Sequence, residues 1–511
     1  MAKNEIRLQY TGYVIFAAKL ISVATGLYFQ FMLGRAIPSD SPEYGIWGNI
    51  NSFLPIFTIV AGVVPFWVMR CVARGQEGSA KTGLAINLVF SVISTAIYLT
   101  IIPIILPSLL SGAGVSNPAV YLPFYLIVSV EIVELYVMGN FEPCLQACSP
   151  QSVGYGLIVQ QVVRTALGYV IMIQLGQPLL GAIVSTIIAF GVQLIYYSKL
   201  LSNQLKQRIQ WGYVKEWLKG SILNIYSAAG GAIASSVFFM LFILGGASGM
   251  EIYYAALQIA NVITYASFLS FALYPKLLAE KRGEDVTASI KTVLMFALPM
   301  TVEAIALSPS FIVLFRKDLL KNFPGVQWVL VVLALDSLVT VVSGLYGSVL
   351  FGVETVDREK MSLRSMVKSK LFKFYSLSFL HSSITIPTTF FVLTTFAFQQ
   401  PLLAALSVIV INSTVRFAMF LILIVMVRRA FKVVVPWRSI GKYAVASLVM
   451  GAILFLLPAS TSVLITLVWT ASGGLIYLAV LMLIDKESRT LPRDILREFK
   501  KKKAPAMAQQ S

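Results

Sequence analysis

The chain has 511 residues, of which 58% are hydrophobic and only 12% charged, and it carries a formal net charge of +18. A soluble domain carries roughly 25% charged residues, so the composition excludes a soluble globular protein and points to a bilayer. The basic excess does not indicate nucleic-acid binding, because its charges sit on short segments between apolar runs.

Runs of about 20 mostly apolar residues recur throughout, each long enough to cross ~30 Å of hydrocarbon. Backbone groups in lipid must be satisfied internally, so these runs are expected to be helices. The predicted fold is an all-α polytopic membrane protein with fourteen spans. Spans 1 to 6 fall at 12–36, 45–69, 82–106, 119–144, 154–175 and 179–197. Spans 7 to 12 fall at 220–244, 251–274, 290–314, 327–351, 374–397 and 401–427. Spans 13 and 14 fall at 441–458 and 462–484, and a basic tail, "KESRTLPRDILREFKKKKAPAMAQQS", follows. The first run is too long for a secretory signal, and no small-residue cleavage site follows it.

Charge sets the expected orientation. With the N-terminus placed in the cytoplasm, the inward segments hold 33 of the 40 Lys and Arg. Arg35, Arg316, Lys317 and Lys321 fall outside, and Lys19, Arg164 and Arg416 fall within spans. This positive-inside asymmetry predicts a multi-pass protein of the cell (plasma or inner) membrane with both termini cytoplasmic. Its basic face, "REFKKKK" above all, suits anionic lipid headgroups.

The chain also repeats itself. "EYGIWGNINSFLPIFTIVAGVVPFWVMRCVARG" begins at Glu43 and "EIYYAALQIANVITYASFLSFALYPKLLAEKRG" at Glu251, an offset of 208 residues. Each repeat has six spans, so both enter the membrane from the same side, as parallel repeats do. The expected organisation is an N-lobe over 1–210, a C-lobe over 211–430, two extra spans over 431–485 and a cytoplasmic tail over 486–511. Gly230 and Gly231, in "SAAGGAI", mark either a hinge or a close-packing site, with packing favoured.

The stretches "FMLGRAIPSDSPEYGIWGNINSF" and "GGASGMEIYYAALQIANVITYASFLSFALYPKLLAEKRG", together with the 6+6+2 arrangement, resemble the multidrug/oligosaccharidyl-lipid/polysaccharide (MOP) exporter superfamily. Within it the chain is most similar to the polysaccharide and O-antigen flippase branch. The resemblance implies a V-shaped, two-lobed carrier with alternating access. Its cargo would be a glycan on a polyprenyl phosphate or pyrophosphate, carried from the cytoplasmic to the outer leaflet. Glycan-assembly enzymes are then candidate partners.

Charges within spans are expensive, about 2.5–3.5 kcal/mol each on insertion scales. Arg164 lies in span 5 with Gln160 and Gln161 one turn earlier, and Arg416 lies in span 12 with Asn412 one turn earlier. Spacings of three and four put each amide beside its arginine. A guanidinium grips a phosphate through parallel hydrogen bonds, and sugar hydroxyls suit the amides. Lys19, shallower in span 1, either snorkels to the interface or meets the same headgroup. The acids Glu131 and Glu134 of span 4, Glu303 of span 9 and Asp336 of span 10 either neutralise these cations within each lobe or couple transport to H⁺ or Na⁺. Glu303 and Asp336 are the leading coupling candidates. No cofactor or metal is expected: Cys144 and Cys148 stand four apart without a neighbouring His, and His381 reads as a polar core residue.

The leading function is therefore a flippase for a lipid-linked oligosaccharide. The alternative is a cation-coupled multidrug exporter of the same superfamily, against which the three buried cations argue. A membrane glycosyltransferase or ligase would need a sizeable loop bearing acid/base or metal groups, so an enzyme is not expected. No G-x-x-x-x-G-K-[ST] run offers direct ATP drive.

Overall fold

The computed structural model describes residues 18, 21–22, 24–38, 41–270, 283–316, 318–353 and 369–485. Among these the architecture is entirely helical. Eleven helices are long and apolar enough to cross a membrane, and the bent pair Glu43–Phe57 and Ile59–Val72 makes a twelfth. Span 1 is described as helix over 24–36. Spans 7 and 8 are continuous by hydrogen bonding from Ile222 to Thr264, with one non-helical residue, Gly246. A straight helix would separate Phe238 from Tyr253 by about 22 Å, yet their rings stack at 4.6 Å. The chain therefore doubles back at Gly246, whose φ of 80° and ψ of 169° only glycine adopts without strain. With that hairpin the described helices correspond to spans 2 to 14, and the helix over 24–36 to the end of span 1.

The exposed apolar side chains lie along the helices. Val92, Ile104, Leu464, Leu475 and Leu483 are all exposed, whereas Asn87, Ser91, Gln193, Thr389 and Thr466 are buried. Polar groups inside and apolar groups outside is the arrangement lipid demands.

The repeat reappears as a shared irregularity. Span 2 is α-helical from Glu43 to Phe57 and then loosens into a 3₁₀ turn at Ile59–Gly62. Span 8 loosens into a 3₁₀ turn at Tyr265–Ser270. The offset of 208 carries Phe57 onto Tyr265. Pro55 removes one hydrogen-bond donor from span 2, but span 8 has Ile263 in that place. The loosening thus belongs to the repeat, not to a single proline.

The chain forms two compact units. The first comprises Met1–Gln258, Phe315–Val329 and Glu354–Met419, and the second Ile259–Leu314, Leu330–Val353 and Phe420–Ser511. In the first, spans 2, 3 and 4 are tied by buried polar links. Tyr125 Oη donates to Asn49 Oδ1 at 2.7 Å, Tyr98 Oη to the Tyr125 carbonyl at 2.9 Å and Asn87 Nδ2 to the Tyr136 carbonyl at 3.0 Å. Span 6 docks on span 5 through Tyr197, which donates to the Val153 carbonyl at 3.1 Å and accepts from Gln193 at 2.8 Å. Cys71 and Cys144 sit in the apolar cluster beneath, with Val68, Met138 and Phe141. In span 7, Tyr226 stacks on Phe379 of span 11 at 4.3 Å. A Cβ on Gly230 would meet that same ring at 2.9 Å. Gly230 is thus a packing glycine, and the break in this segment is at Gly246.

In the second unit, spans 13 and 14 dock on span 9. Tyr477 Oη donates to the Met295 carbonyl at 2.7 Å, and the Ser460 backbone N–H to Ser310 Oγ at 3.0 Å. Lys442 and Asp485 pair at 2.8 Å, closing the far ends of spans 13 and 14.

Two glycines test this packing. A Cβ on Gly156 would strike the Tyr197 ring, whereas one on Gly231 meets nothing within 4 Å. Gly231→Ala should stabilise the protein by about 0.5–1 kcal/mol through helix propensity. Gly156→Ala should destabilise it by about 1–3 kcal/mol through overpacking. Thermal melts of the detergent-solubilised variants should move in opposite directions.

Candidate functional site

Spans 1 and 5 face each other through a polar strip. On span 1 the strip is Ser22, Thr25, Gly26 and Phe29, spaced as one helix face. On span 5 it is Gln161, Arg164 and Gly168. Gln161 Nε2 donates to Ser22 Oγ at 3.0 Å, and Thr25 Oγ1, whose proton goes to the Ile21 carbonyl at 2.7 Å, lies 3.4 Å from Gln161 Oε1. The Arg164 guanidinium lies over the Phe29 ring, 4.5 Å from its centroid. A Cβ on Gly26 would stand 3.6 Å from Arg164 Nη2, and one on Gly168 would strike Phe29 at 2.7 Å. The two glycines therefore bring the helices close enough for the ring to carry the cation, worth ~2 kcal/mol when desolvated. Past Gly168 the helix widens into a π-turn, Tyr169–Gln174. Such turns recur at functional sites.

The acids of span 4 border this strip. Glu131 and Glu134 are both buried. Arg164 acts electrostatically on Glu131. Glu134 faces span 6, with its Oε1 3.4 Å from where a Cβ on Gly191 would be. Its other oxygen, Oε2, accepts no hydrogen bond among the described residues. Gln160 is also buried, at the same depth as Gln161.

The remaining candidates are dispersed. Asn412 is buried, and its carbonyl lies 3.4 Å from His381 Nε2 of span 11, which places that histidine in a polar contact between spans. Arg416, one turn on, is half-buried. Glu303, in the second unit, turns toward span 14, where a Cβ on Gly473 would lie 3.6 Å from its Oε1. That oxygen accepts no hydrogen bond among the described residues. Asp336 is buried in the same unit. Lys19 lies outside the described residues.

One cluster was not anticipated. Arg316, expected in an outer loop, is only 3% exposed and is held 2.5 Å from Glu251 Oε1 through its Nε. Its Nη1 donates to the carbonyls of Gly34 at 3.1 Å and Ile37 at 2.6 Å, and its Nη2 to that of Pro38 at 3.3 Å. These are carbonyls at the end of span 1, which have no partner within their own helix. Arg316 caps that helix from 278 or more residues away in sequence, and its charge suits the negative end of the helix dipole. Beside it, bare glycines let backbones meet. A Cβ on Gly34 would strike the Phe315 carbonyl oxygen at 2.5 Å, one on Gly45 the Ala247 carbonyl, and one on Gly48 the Tyr254 ring at 3.0 Å. Tyr44 packs edge-on to Tyr254 at 5.8 Å and lies under the Arg316 guanidinium at 5.6 Å. The sequence hint was the Glu that opens span 8; its partner lay beyond the end of an apolar run.

No protein-family model and no curated protein matches the sequence. Solved structures do. The lipid II flippase MurJ in an inward closed conformation aligns with a TM-score of 0.61 at 16% identity, over 95% of this chain and all of that one. A multidrug resistance MATE family transporter of the MOP superfamily, in an inward-facing conformation, also aligns at 0.61, with 13% identity over 82% of this chain and 98% of that one. A MOP superfamily transporter from Pyrococcus furiosus aligns at 0.53, with 14% identity over 82% and 96%. At such identities the likeness is one of fold, and it agrees with the duplicated helical plan built up above: this is a multi-pass membrane protein with the MOP superfamily transporter fold.

Proposed function

We propose that the protein is a carrier, not an enzyme, that moves a lipid-linked oligosaccharide from the cytoplasmic to the outer leaflet by alternating access. The observation that carries this reading is the Arg164 strip. A guanidinium held on an aromatic face, beside Gln161, Ser22 and Thr25, combines a phosphate-binding cation with neutral groups that suit sugar hydroxyls. Arg416, with Asn412, supplies a second cation on span 12. A cationic drug would meet repulsion at both arginines. Coverage supports the same choice: the flippase aligns over 95% of the chain and the multidrug transporter over 82%, the difference that two additional spans would make. The Lys and Arg asymmetry puts both termini in the cytoplasm, the basic tail against anionic lipid and the protein in the plasma or inner membrane.

Proteoliposomes loaded with a labelled polyprenyl-diphosphate glycan test the proposal. The wild type should expose the glycan on the opposite leaflet. Arg164→Ala and Arg416→Ala should each lower that rate tenfold or more, the effect of losing a hydrogen bond from a charged donor, about 1.5–3 kcal/mol. Arg164→Lys should retain part of it. Gel filtration checks that each variant still folds. Full activity in both alanine variants would remove the arginines from cargo handling. Extrusion of cationic dyes without glycan movement would establish the multidrug alternative.

We propose coupling at Glu303 and Glu134, in each of which one buried oxygen, Glu303 Oε1 and Glu134 Oε2, accepts no hydrogen bond of good geometry among the described residues. A carboxylate oxygen left open in this way is a place where a proton or a hydrated Na⁺ could be held. Glu303→Gln should abolish accumulation driven by an H⁺ or Na⁺ gradient while sparing cargo exchange without a gradient. Unchanged gradient dependence would leave Glu303 a packing residue of span 14.

A further inference from the structure

The Arg316 cluster, within the first compact unit, joins parts of the two repeats, which alternating access at this face would separate. Span 1 belongs to the first repeat, and Glu251 and Arg316 to the second. The contacts around them are of the same kind: Gly34 against Phe315, Gly45 against Ala247, Tyr44 against Tyr254, and the Ala247 backbone N–H donating to the Ala113 carbonyl at 2.9 Å. A seam between repeats therefore closes at the membrane face where span 1 ends. Under the orientation proposed above, this is the outer face.

We propose that Arg316 is the releasable lock of this seam, with Glu251 as its anchor and the carbonyls of Gly34, Ile37 and Pro38 as its catch. The two sides of the lock differ in chemistry. The anchor is an ion pair between two buried groups of one repeat, 2.5 Å apart, and separating it would strand a charge in a dry site. The catch is a set of neutral carbonyls at a helix end, which water satisfies as soon as the seam parts. The lock thus breaks at the catch, and Arg316 travels with Glu251. A recess of about 370 Å³, lined by Ser41, Asn117, Tyr121, Ser248 and Glu251, lies beside the anchor and offers that water a way in. The fork of the guanidinium is essential, because one side chain must hold a carboxylate through Nε and three carbonyls through its two other nitrogens.

The inference rests on alternating access but not on what the cargo is, so it is tested without cargo. Spin labels at Val120→Cys and Trp328→Cys, both exposed and one in each repeat, report the seam in lipid nanodiscs by pulsed electron resonance, in a background where the exposed Cys148 is Ser. The wild type should populate mainly one short distance. Arg316→Gln should raise the longer-distance population about tenfold or more, the shift expected from losing one hydrogen bond from a charged donor. The exchange Glu251→Arg with Arg316→Glu restores an ion pair but leaves position 316 unable to donate to span 1, so it should remain as open as Arg316→Gln. Arg316→Lys keeps the charge opposite Glu251 without the fork. It should show a smaller rise and serves if Arg316→Gln does not fold. A wild-type distance distribution in Arg316→Gln or Arg316→Lys, or a closed seam in the exchanged pair, would overturn the lock and leave the cargo reading untouched. A seam that opens as expected in a protein that moves no glycan would instead sink only the cargo reading.

Discussion

Hydrocarbon offers no hydrogen bonds, and that constraint organises everything described here. Each buried donor or acceptor must find its partner within the protein or cost several kcal/mol. Hydroxyls meet the demand locally by donating to the carbonyl one turn back, as Thr25 does to Ile21, Thr301 to Ala297 and Ser447 to Tyr443. Tyrosines and amides meet it across helices, which is why Tyr98, Tyr125, Asn87 and Tyr477 mark the places where spans are joined. Arg316 meets it for a whole helix end. Against this background Glu134 Oε2 and Glu303 Oε1, which accept no hydrogen bond of good geometry among the described residues, are the exceptions.

Glycine supplies the second half of the design. Lipid gives helices no hydrophobic reason to associate, so contact must come from close packing. Gly26 and Gly168 admit Arg164 and Phe29, Gly156 admits Tyr197, and Gly34 and Gly45 admit bare backbone. The polar strip and the seam are both consequences: a cation can reach a ring or a carbonyl only where a missing side chain leaves room.

Much of this was legible in the sequence, because the property that makes a span is one-dimensional. Length and apolarity located the helices, and the offset of 208 located the duplication. The depth of Arg164 on the same face as Gln161 followed from helical spacing alone. What could not be read was which neighbour each face meets. Phe29 carries no mark that distinguishes it from other aromatic residues of span 1, yet it is the one beneath Arg164. Glu303 was correctly placed within an apolar span, but its turn toward Gly473 depends on how spans 13 and 14 dock. The burial of Arg316, read only as an outer-side cation, was not legible for a definite reason. A cation just past an apolar run is usually solvated, and its burial here is created by the end of span 1, which arrives from more than half the chain away.

The repeats preserve a carboxylate at the start of spans 2 and 8, as Glu43 and Glu251, but the position that matches Arg316 in the first repeat is Ser108. The duplication is therefore symmetric in this acid and asymmetric in its cation, and the energetics give a reason. A hydrogen bond from a charged donor is worth about 1.5–3 kcal/mol, and Arg316 makes three to span 1. Moving a two-state equilibrium from 1:99 to 99:1 requires about 5.5 kcal/mol in all. One forked cation thus already spans the range over which a carrier can be biased and still switch. A second, at position 108, would hold the seam beyond what a cargo or an ion gradient could readily reverse. If the seam opens as proposed, a single clamp between the repeats is enough, and a second would hold it shut.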